Sequence, residues 1–447
     1  MRIVTVPWLK RVLWAMIAVQ GVLAVWVSHP WLTADSGEYL KLANALLQGS
    51  YGSQTSEGFQ PDVLRPPGYP IIIYVLHHVM QLPFWVISSV QIAAYWLSLF
   101  LIQRMLERFG LEPWPMLALA AVYPFPAMYS ANIMTEAWAG LALTGIAAVL
   151  VLWKRFLLAC CVAGALGGIA ILLRADLLLL PPLVVALILL MNAGQQADLG
   201  RRAAGAVLSL VVAVLVVLPY TAWNLKNFGV AKPLPLAGAL GNSLYIATWQ
   251  PVLPREDINA LYSGVATPRA EAAGLADEVR AMNKAIGAPL LTAPWNPAAY
   301  PSRPMQIAST KHTLNLALQR ISKQPLVYGR HVAQNTWRLW ITGVYPQSVP
   351  RPAVVLLSLG SAIVLLLGIC GALVSLLQRP SWPVPRWLAA LFLYVPAVHI
   401  FLHTEARYTA PARPLLLLFA GAFCVLAIRK FAVWWPKPKG SPAILAD

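Results

Sequence analysis

Long apolar stretches, each close to the length that crosses a bilayer, recur through most of this 447-residue chain. A helix needs about 20 mostly apolar residues to span the hydrocarbon core of a membrane. Hydrophobic residues make up 59% of the sequence and charged residues only 11%, which excludes an ordinary soluble domain. The sequence therefore predicts an all-α polytopic membrane protein.

About ten stretches have the composition of transmembrane helices. They are residues 11–28, 84–103, 114–131, 135–153, 156–173, 176–192, 203–222, 353–377, 387–403 and 413–428. A basic segment precedes the first stretch, but no small-residue cleavage site follows it. We therefore interpret it as a retained span and not as a cleaved signal peptide.

The basic residues between these stretches predict how the chain is oriented. With a cytoplasmic N-terminus, fifteen Lys and Arg residues fall in cytoplasmic loops and tails, whereas the short outer loops contain only Arg174, Arg407 and Arg413. This asymmetry follows the positive-inside rule and places both termini in the cytoplasm. The net charge of +17 comes from short clusters between apolar spans. That distribution argues against a nucleic-acid partner and favours contact with membrane lipid.

Two long segments then lie on the outer side of the membrane. The first is a loop of residues 29–83, and the second is residues 223–352, rich in proline. We expect three regions: an N-terminal transmembrane bundle over 1–222, the long extracytoplasmic loop, and C-terminal helices with a basic tail over 353–447. In the first loop, residues 36–48 are amphipathic and residues 65–82 are apolar but short, so both predict interfacial helices.

Asp35 and Glu38, in the stretch DSGEY, begin the amphipathic segment of the first outer loop. One interpretation is structural: Asp35 is the N-cap of a helix, and Glu38 completes a capping box three residues later. The other is functional: Asp35 is a carboxylate in a partly dehydrated cleft at the membrane surface and acts as a general base. The two interpretations are compatible, because a cap also fixes the position of its side chain.

Further charged residues stand at predicted outer turns. Glu136 lies at the start of the fourth span, where it is either an acid favoured by the helix dipole or shares a cleft with Asp35 as a second acid or a metal ligand. Arg174 and Asp176 interrupt an almost continuous apolar run. They form either a structural ion pair or, through Arg174, a site for an anion such as phosphate, which suits a guanidinium group.

The densest cluster is HTEARYTAPARP, residues 403–414, in one short predicted outer loop. A solvated turn needs no such density of functional side chains. Arg407 and His403 can neutralise a phosphate at the lipid surface, Glu405 can orient one of them, and Tyr408 can donate a hydrogen bond. The four cysteines all fall within apolar stretches at spacings that suggest neither a metal site nor a disulfide framework.

Taken in order, several short motifs resemble the GT-C superfamily of integral-membrane glycosyltransferases, in particular bacterial relatives of the protein O-mannosyltransferases and of the lipid A aminoarabinose transferase. The motifs are DSGEYLKLANALLQGSYG, RPPGYPIIIYVL, NIMTE, LLRAD, NLKNFG, QPLVYGRHVAQNTWRLW and HTEARYTAPARPLL, and they cover most of the chain. The resemblance implies a GT-C-like bundle in the bacterial inner membrane, with an active site on the outer face.

The resemblance also implies a reaction. An inverting transferase would move a sugar from a polyprenyl-phosphate carrier to a glycan, lipid or protein acceptor, with Asp35 as the catalytic base. Arg174, Arg407, His403, Arg65 and Tyr408 would bind the donor phosphate, and Glu38, Glu136, Glu405 and Tyr69 would support them or face the acceptor. Some members carry an Asp–Asp pair or further metal-binding acids, whereas this chain has Asp35–Ser36. The resemblance is therefore compatible with a divalent metal but does not require one.

Two other classes of protein fit parts of the pattern. An O-antigen polymerase or ligase also has many spans and a large outer loop, and would depend on arginines in that loop instead of Asp35. A lipid-linked sugar transporter or flippase would place charges near the midplane of the bilayer, whereas nearly every charge in this sequence lies at a predicted membrane boundary.

Overall fold

A computed structural model describes the chain over residues 7–55, 58–191, 198–238, 240–249, 267–286, 302–341, 351–377 and 382–434, together with Leu253, Asp257 and Ala260. In chain order the α-helices of these residues are α1 Pro7–Val27, α2 Ala34–Leu47, α3 Gly68–Ile73, α4 Phe84–Arg108, α5 Trp114–Val122, α6 Phe125–Ala131, α7 Glu136–Leu152, α8 Phe156–Leu173, α9 Leu180–Leu190, α10 Leu199–Phe228, α11 Leu240–Ala247, α12 Pro268–Ala272, α13 Leu275–Ile286, α14 Arg303–Lys323, α15 Pro325–Ile341, α16 Arg351–Leu376, α17 Arg386–His399 and α18 Arg413–Trp434.

Other elements are short. A π-helical segment, Tyr74–Val79, continues α3, and 3₁₀ turns cover Ala175–Leu177 and Ala406–Ala412. Strands β1 Gly52–Thr55 and β2 Gly58–Pro61 form an antiparallel hairpin, in which Gly52 pairs with Pro61 and Thr55 with Gly58. Within the described residues this hairpin is the only sheet, so the prediction of an all-α protein is confirmed.

Six helical segments of the described chain are long and apolar enough to cross a membrane. They are Pro7–Val27, Phe84–Arg108, Phe156–Leu173, Leu199–Phe228, Ser358–Leu376 and Ala406–Lys430. Each coincides with one of the predicted spans. Large apolar side chains on α10, among them Val211, Leu215 and Leu218, point outward, as a lipid-facing surface requires. The multi-pass membrane fold predicted from the sequence is confirmed.

The remaining predicted spans correspond to shorter helices. Glu136–Leu152, Ala175–Leu190 and Arg386–His399 cover three of them. The stretch 114–131 is not one helix but two, α5 and α6, because the chain turns at Tyr123 and Pro124. Pro124 has no backbone N–H to continue a helical ladder, and its ring disfavours a helical conformation at the residue before it.

Close packing of the membrane helices depends on small side chains. α8 packs along α10, and α7 packs against α4 and α8. At Gly164 of α8, an added Cβ atom would lie 2.1 Å from the backbone oxygen of Ser209 on α10. Only glycine allows the two backbones to approach this closely, as is common where membrane helices associate.

The two long segments between membrane helices contact one another. Helices are present at both positions predicted in the first loop, as α2 and as α3 with its π-helical continuation. In the second segment, Tyr245, Trp249, Leu275 and Ala317 form a small core of their own. Arg303 of α14 joins the two segments, because its Nη2 donates to the Ser53 hydroxyl and its Nε donates to the Pro61 carbonyl oxygen of the hairpin at 3.0 Å.

Candidate active site

The first turn of α2 presents Asp35 without using its carboxylate as a cap. Thr33 is the N-cap residue, and its side chain accepts a hydrogen bond from the backbone N–H of Ser36. In return the Ser36 hydroxyl accepts from the backbone N–H of Thr33 at 2.9 Å. The interpretation of Asp35 and Glu38 as the capping pair is wrong, because Thr33 and Ser36 already occupy both capping positions. Both carboxylates are therefore available for other contacts.

Each oxygen of the Asp35 carboxylate accepts a hydrogen bond from an arginine. Oδ1 lies 2.8 Å from Nη2 of Arg65, and Oδ2 lies 2.5 Å from Nη1 of Arg407, a residue 372 positions away in the sequence. The Asp35 side chain remains 26% exposed. Burial opposes its ionisation, but the Arg407 and Arg65 guanidinium groups outweigh burial and hold the pKa of Asp35 well below its ordinary value. Asp35 is therefore ionised at physiological pH.

Arg65 is fixed both by its side chain and by its backbone. Its Nε donates to Oε2 of Glu38 at 2.9 Å, and its guanidinium carbon lies 5.1 Å from the centre of the Tyr39 ring. Its backbone N–H donates to Oδ2 of Asp62 at 2.8 Å, and Asp62 is buried. Asp62 therefore sets the course of the chain at Arg65, a role that nothing in the sequence pattern indicated.

Arg407 forms the other side of the Asp35 site. Its Nε lies 2.5 Å from Oε2 of Glu405, and its guanidinium carbon lies 5.3 Å from the centre of the Tyr408 ring. Burial opposes ionisation of Glu405, but Arg407 outweighs it, and the pKa of Glu405 lies below its ordinary value. Arg407 is thus shared between two carboxylates, Asp35 and Glu405.

His403 reaches the same cluster through Tyr408. Its Nδ1 lies 3.3 Å from the Tyr408 hydroxyl, and its Nε2 lies 3.7 Å from Oε1 of Glu405. Burial lowers the pKa of His403 in spite of the neighbouring Glu405 carboxylate. The imidazole is therefore neutral at pH 7, and what it offers to an anion is a hydrogen bond rather than a charge.

Arg174 lies at the end of α8 and is paired with two acids. Its Nε is 3.1 Å from Oδ1 of Asp176, and its Nη1 is 3.4 Å from Oε1 of Glu136, the first residue of α7. On the far side, Oδ2 of Asp176 lies 2.8 Å from Nε2 of His399. The structural ion pair considered for Arg174 and Asp176 is present, and His399 extends it.

Tyr408 connects the Arg174 cluster to the Asp35 site. The His399 ring stacks on the Tyr408 ring with centroids 4.8 Å apart, and the guanidinium carbon of Arg174 lies 5.9 Å from the Tyr408 ring centre. Arg407 contacts the same ring. One network around Asp35 and Tyr408 therefore brings together residues from the loop between α1 and α4, the first residue of α7, the end of α8 and the segment before α18.

Tyr69 lies beneath this network and is fully buried. Its hydroxyl donates to Oε1 of Gln91 on α4 at 2.7 Å, and its ring packs edge-to-face on Tyr39 with centroids 4.9 Å apart. Because Tyr39 in turn lies under the Arg65 guanidinium, Tyr69 supports Arg65 from below. The supporting or acceptor-side role of Tyr69 stays a prediction.

The acids of the network are engaged by arginine or histidine and do not form a metal site. Across the residues that the structure describes, no three His, Cys, Asp or Glu side chains are grouped so that they could hold a metal ion. Both oxygens of Asp35 already accept hydrogen bonds from guanidinium groups. The divalent metal that the sequence left open does not fit this arrangement of side chains.

Comparison with solved structures identifies the fold. The archaeal oligosaccharyltransferase AglB from Archaeoglobus fulgidus, solved with an inhibitory peptide and a dolichol-phosphate, matches with a TM-score of 0.50 at 13% sequence identity. The match covers 95% of this chain and 51% of AglB, so the chain spans about half of the length of that protein. The chain accordingly shares a polytopic helical membrane fold with the matched half of AglB, which agrees with the fold that the motifs implied.

A second solved structure is more distant. ArnT from Cupriavidus metallidurans bound to undecaprenyl phosphate matches with a TM-score of 0.40 at 13% identity, over 95% of this chain and 81% of ArnT. A likeness at this level carries no weight of its own. A scan against protein-family models found no match, and neither did a search of curated proteins.

Proposed function

We propose that the protein is an inverting glycosyltransferase that moves a sugar from a polyprenyl-phosphate donor to an acceptor hydroxyl on the outer face of the membrane. The observation that carries the proposal is the contact between Asp35 and Arg407. It joins the acid of the first outer loop to the basic segment before the last helix, within a fold that AglB shares. A base and a phosphate-binding cation therefore stand side by side.

In the proposed reaction Asp35 is the general base. Its carboxylate accepts the proton of the acceptor hydroxyl as the hydroxyl oxygen attacks the anomeric carbon of the donor. The bond between that carbon and the phosphate oxygen breaks, and its electron pair leaves with the phosphate. A single displacement of this kind inverts the anomeric configuration. Positive charge develops on the sugar ring, next to the ionised Asp35, as in glycoside hydrolysis.

The departing phosphate gains negative charge, which the arginines are placed to stabilise. Arg407 is adjacent to Asp35, and its guanidinium group has five N–H donors, more than its contacts with Asp35 and Glu405 consume. Arg174 contacts the same Tyr408 ring as Arg407, and Arg65 binds the other carboxylate oxygen of Asp35. In a site shielded from water, such donors stabilise a developing charge much more strongly than they do in bulk solvent.

An arriving phosphate has to compete with carboxylates for these arginines. Arg407 contacts Asp35 and Glu405, and Arg174 contacts Asp176 and Glu136. When a donor phosphate takes hydrogen bonds from Arg407, the Asp35 carboxylate loses part of the charge that holds its pKa down. Donor binding thereby makes Asp35 a stronger base, which favours binding of the donor before the reaction with acceptor.

The proposal includes an orientation and an organisation of the chain. Both termini lie on the cytoplasmic side of a bacterial inner membrane, and the network faces the opposite side. Regions 1–222 and 353–447 supply the membrane helices, the polyprenyl chain lies between these helices in lipid, and 223–352 is the long extracytoplasmic loop. The asymmetry of basic residues supports this orientation, and AglB, solved with a dolichol-phosphate, supports a lipid-phosphate ligand.

Transfer from defined donors tests the proposal directly. Purified protein in lipid nanodiscs is incubated with a panel of radiolabelled polyprenyl-phosphate sugars and with extracted membranes as the source of acceptor, with and without a chelator. We expect one or more donors to label the acceptor fraction, and labelling to be lost in Asp35→Asn. Labelling that persists in Asp35→Asn but is lost when arginines of 223–352 are replaced by alanine would indicate a polymerase or ligase mechanism instead.

A further inference from the structure

Arg413, the first residue of α18, is fully buried, and its side chain donates hydrogen bonds to the segment that contains Arg407 and Tyr408. Its Nη2 lies 3.1 Å from the backbone oxygen of Ala406 and 3.2 Å from the hydroxyl oxygen of Thr409. These two acceptors stand immediately before Arg407 and immediately after Tyr408. One nitrogen of Arg413 therefore holds both ends of the turn from which the two side chains project.

The charge of Arg413 is balanced by aromatic rings. Its guanidinium carbon lies 5.3–5.9 Å from the centres of the four rings of Tyr123, Phe125, Tyr129 and Trp340, and its Nη1 donates to the Tyr123 hydroxyl. Among the described residues no Asp or Glu oxygen lies within 4.0 Å of it. A buried cation in a membrane bundle is costly, and the contacts that Arg413 makes in return are these rings and its hydrogen bonds to the segment before α18.

Thr409 anchors the same turn to α15. Its hydroxyl lies 2.9 Å from the backbone oxygen of Leu339 and 3.0 Å from that of Ala406. Arg413 also reaches the backbone oxygen of Trp340, at 3.5 Å. The turn is thus tied to α15 by two residues, directly through the Thr409 hydroxyl and indirectly through Arg413, which contacts both Thr409 and Trp340.

We propose that Arg413 is a positioning residue. With Thr409 as its partner, it holds the 406–409 turn so that the Arg407 guanidinium bridges Asp35 and Glu405. The catalytic importance of this positioning rests on the proposed function, but the positioning itself does not. Without the hydrogen bond between Arg413 and Thr409 (the Arg413–Thr409 clamp), Arg407 is no longer held against Asp35. Arg413 itself makes no contact with Asp35 or Glu405 and acts through Arg407.

The test compares variants that loosen the clamp to different extents. Arg413→Lys keeps the charge among the rings, but its single ammonium group lacks the planar fork that reaches both Ala406 and Thr409. Thr409→Val removes the hydroxyl at nearly constant volume, and Thr409→Ser retains it. Thr144→Val is the matched control: Thr144 is equally buried, lies on α7, and its hydroxyl has no hydrogen-bond partner among the described residues.

The readout is the coupling between Asp35 and Arg407 in the folded protein. Melting temperatures in nanodiscs are measured for Asp35→Asn, Arg407→Gln and the double variant, and the non-additive part of the shift reports their interaction. The cycle is repeated in each background. A change that merely destabilises the protein lowers the melting temperatures of all four proteins in a cycle and leaves the non-additive part of the shift intact. Loss of positioning removes the non-additive part.

We expect the coupling to be present in the unmodified protein, in Thr144→Val and in Thr409→Ser, and to vanish in Arg413→Lys and Thr409→Val. If Arg413→Lys does not fold, Thr409→Val decides. Coupling that persists in Thr409→Val, or that is missing from the unmodified protein, overturns the proposal.

Transferase assays on the same variants separate the two proposals. A raised KM for the lipid donor with an unchanged KM for the acceptor is expected in Thr409→Val. If Thr409→Val loses the coupling but the unmodified protein transfers no sugar from any donor, the positioning role of Arg413 is supported and the proposed function is wrong.

Discussion

Replacing Asp35 by asparagine tests the proposed base, and the structure predicts how rate and stability respond. Asparagine has nearly the same shape as aspartate but cannot accept a proton from the acceptor hydroxyl. Loss of a general base lowers turnover by about 10²- to 10⁴-fold, equivalent to roughly 3–5 kcal/mol in the activation barrier. We expect kcat/KM for glycosyl transfer from a polyprenyl-phosphate sugar to fall within that range.

The cost in folding stability is smaller, because no arginine is left without a carboxylate. In Asp35→Asn, Arg65 keeps its contact with Glu38, and Arg407 keeps its contact with Glu405. The asparagine side chain still offers one carbonyl oxygen as an acceptor. The loss is then about 1.5–3 kcal/mol, the value of a hydrogen bond to a charged group, and not the roughly 3–5 kcal/mol of a stranded buried charge.

Glu38→Gln is the matched control. It also removes one negative charge from beside Arg65, but Glu38 is not the proposed base. We expect it to lower kcat/KM by less than about tenfold, the order of a perturbed ion pair, with a similar small loss of stability. Folded protein is monitored by size-exclusion chromatography and thermal melting, and rates are measured with radiolabelled donor. A Glu38→Gln rate as low as that of Asp35→Asn, or an Asp35→Asn rate above a tenth of the wild-type rate, would refute the assignment.

Three further outcomes follow from the contacts. Folding lowers the pKa of Asp35, so the stability that its carboxylate contributes is complete above pH about 4 and is lost as the pH falls through the folded-state pKa. Below pH about 4 the melting temperature of Asp35→Asn should therefore fall less steeply with pH than that of the unmodified protein, and equal slopes would contradict this. Asp62→Ala leaves the backbone N–H groups of Leu64 and Arg65 without their acceptor, which should cost about 1–3 kcal/mol of folding stability and lower the rate of transfer. Asp62→Asn keeps an acceptor oxygen and should recover much of the stability and of the rate; equal losses in the two variants would show that Asp62 does not support Arg65. Gly68→Ala brings a Cβ atom to 2.5 Å from the Leu172 carbonyl oxygen, so thermal melting should show a loss of about 1–3 kcal/mol in folding stability. The control Gly37→Ala has open space around its Cβ atom and should gain up to about 1 kcal/mol in folding stability.

The membrane helices were predictable because length and apolarity alone decide them. Six of the predicted spans coincide with helices long enough to cross a bilayer. The division of 114–131 at Pro124 was not predicted, although its proline is visible in the sequence, since apolarity continues through the turn. Hydropathy reports which residues tolerate lipid, and it is insensitive to where the backbone bends within them.

Several charged residues of the candidate site are conspicuous in the sequence. Asp35, Arg174 and Arg407 stand out because charges are expensive at such positions, and the structure brings them into one network. Asp62 and Arg413 were not predicted to support the site, because their function is to hold backbone atoms in place. Such contacts depend on where the chain runs in three dimensions, and sequence spacing carries no trace of them.

The 372 positions between Asp35 and Arg407 have a consequence for synthesis of the protein. Chains fold from the N-terminus as they emerge from the ribosome, so Asp35 is inserted while Arg407 is still untranslated. An unfinished chain holds the acid in the membrane without its arginine and has no assembled centre. Messages truncated before Arg407 would then yield a membrane protein that lacks the Asp35–Arg407 contact on which the proposed function depends.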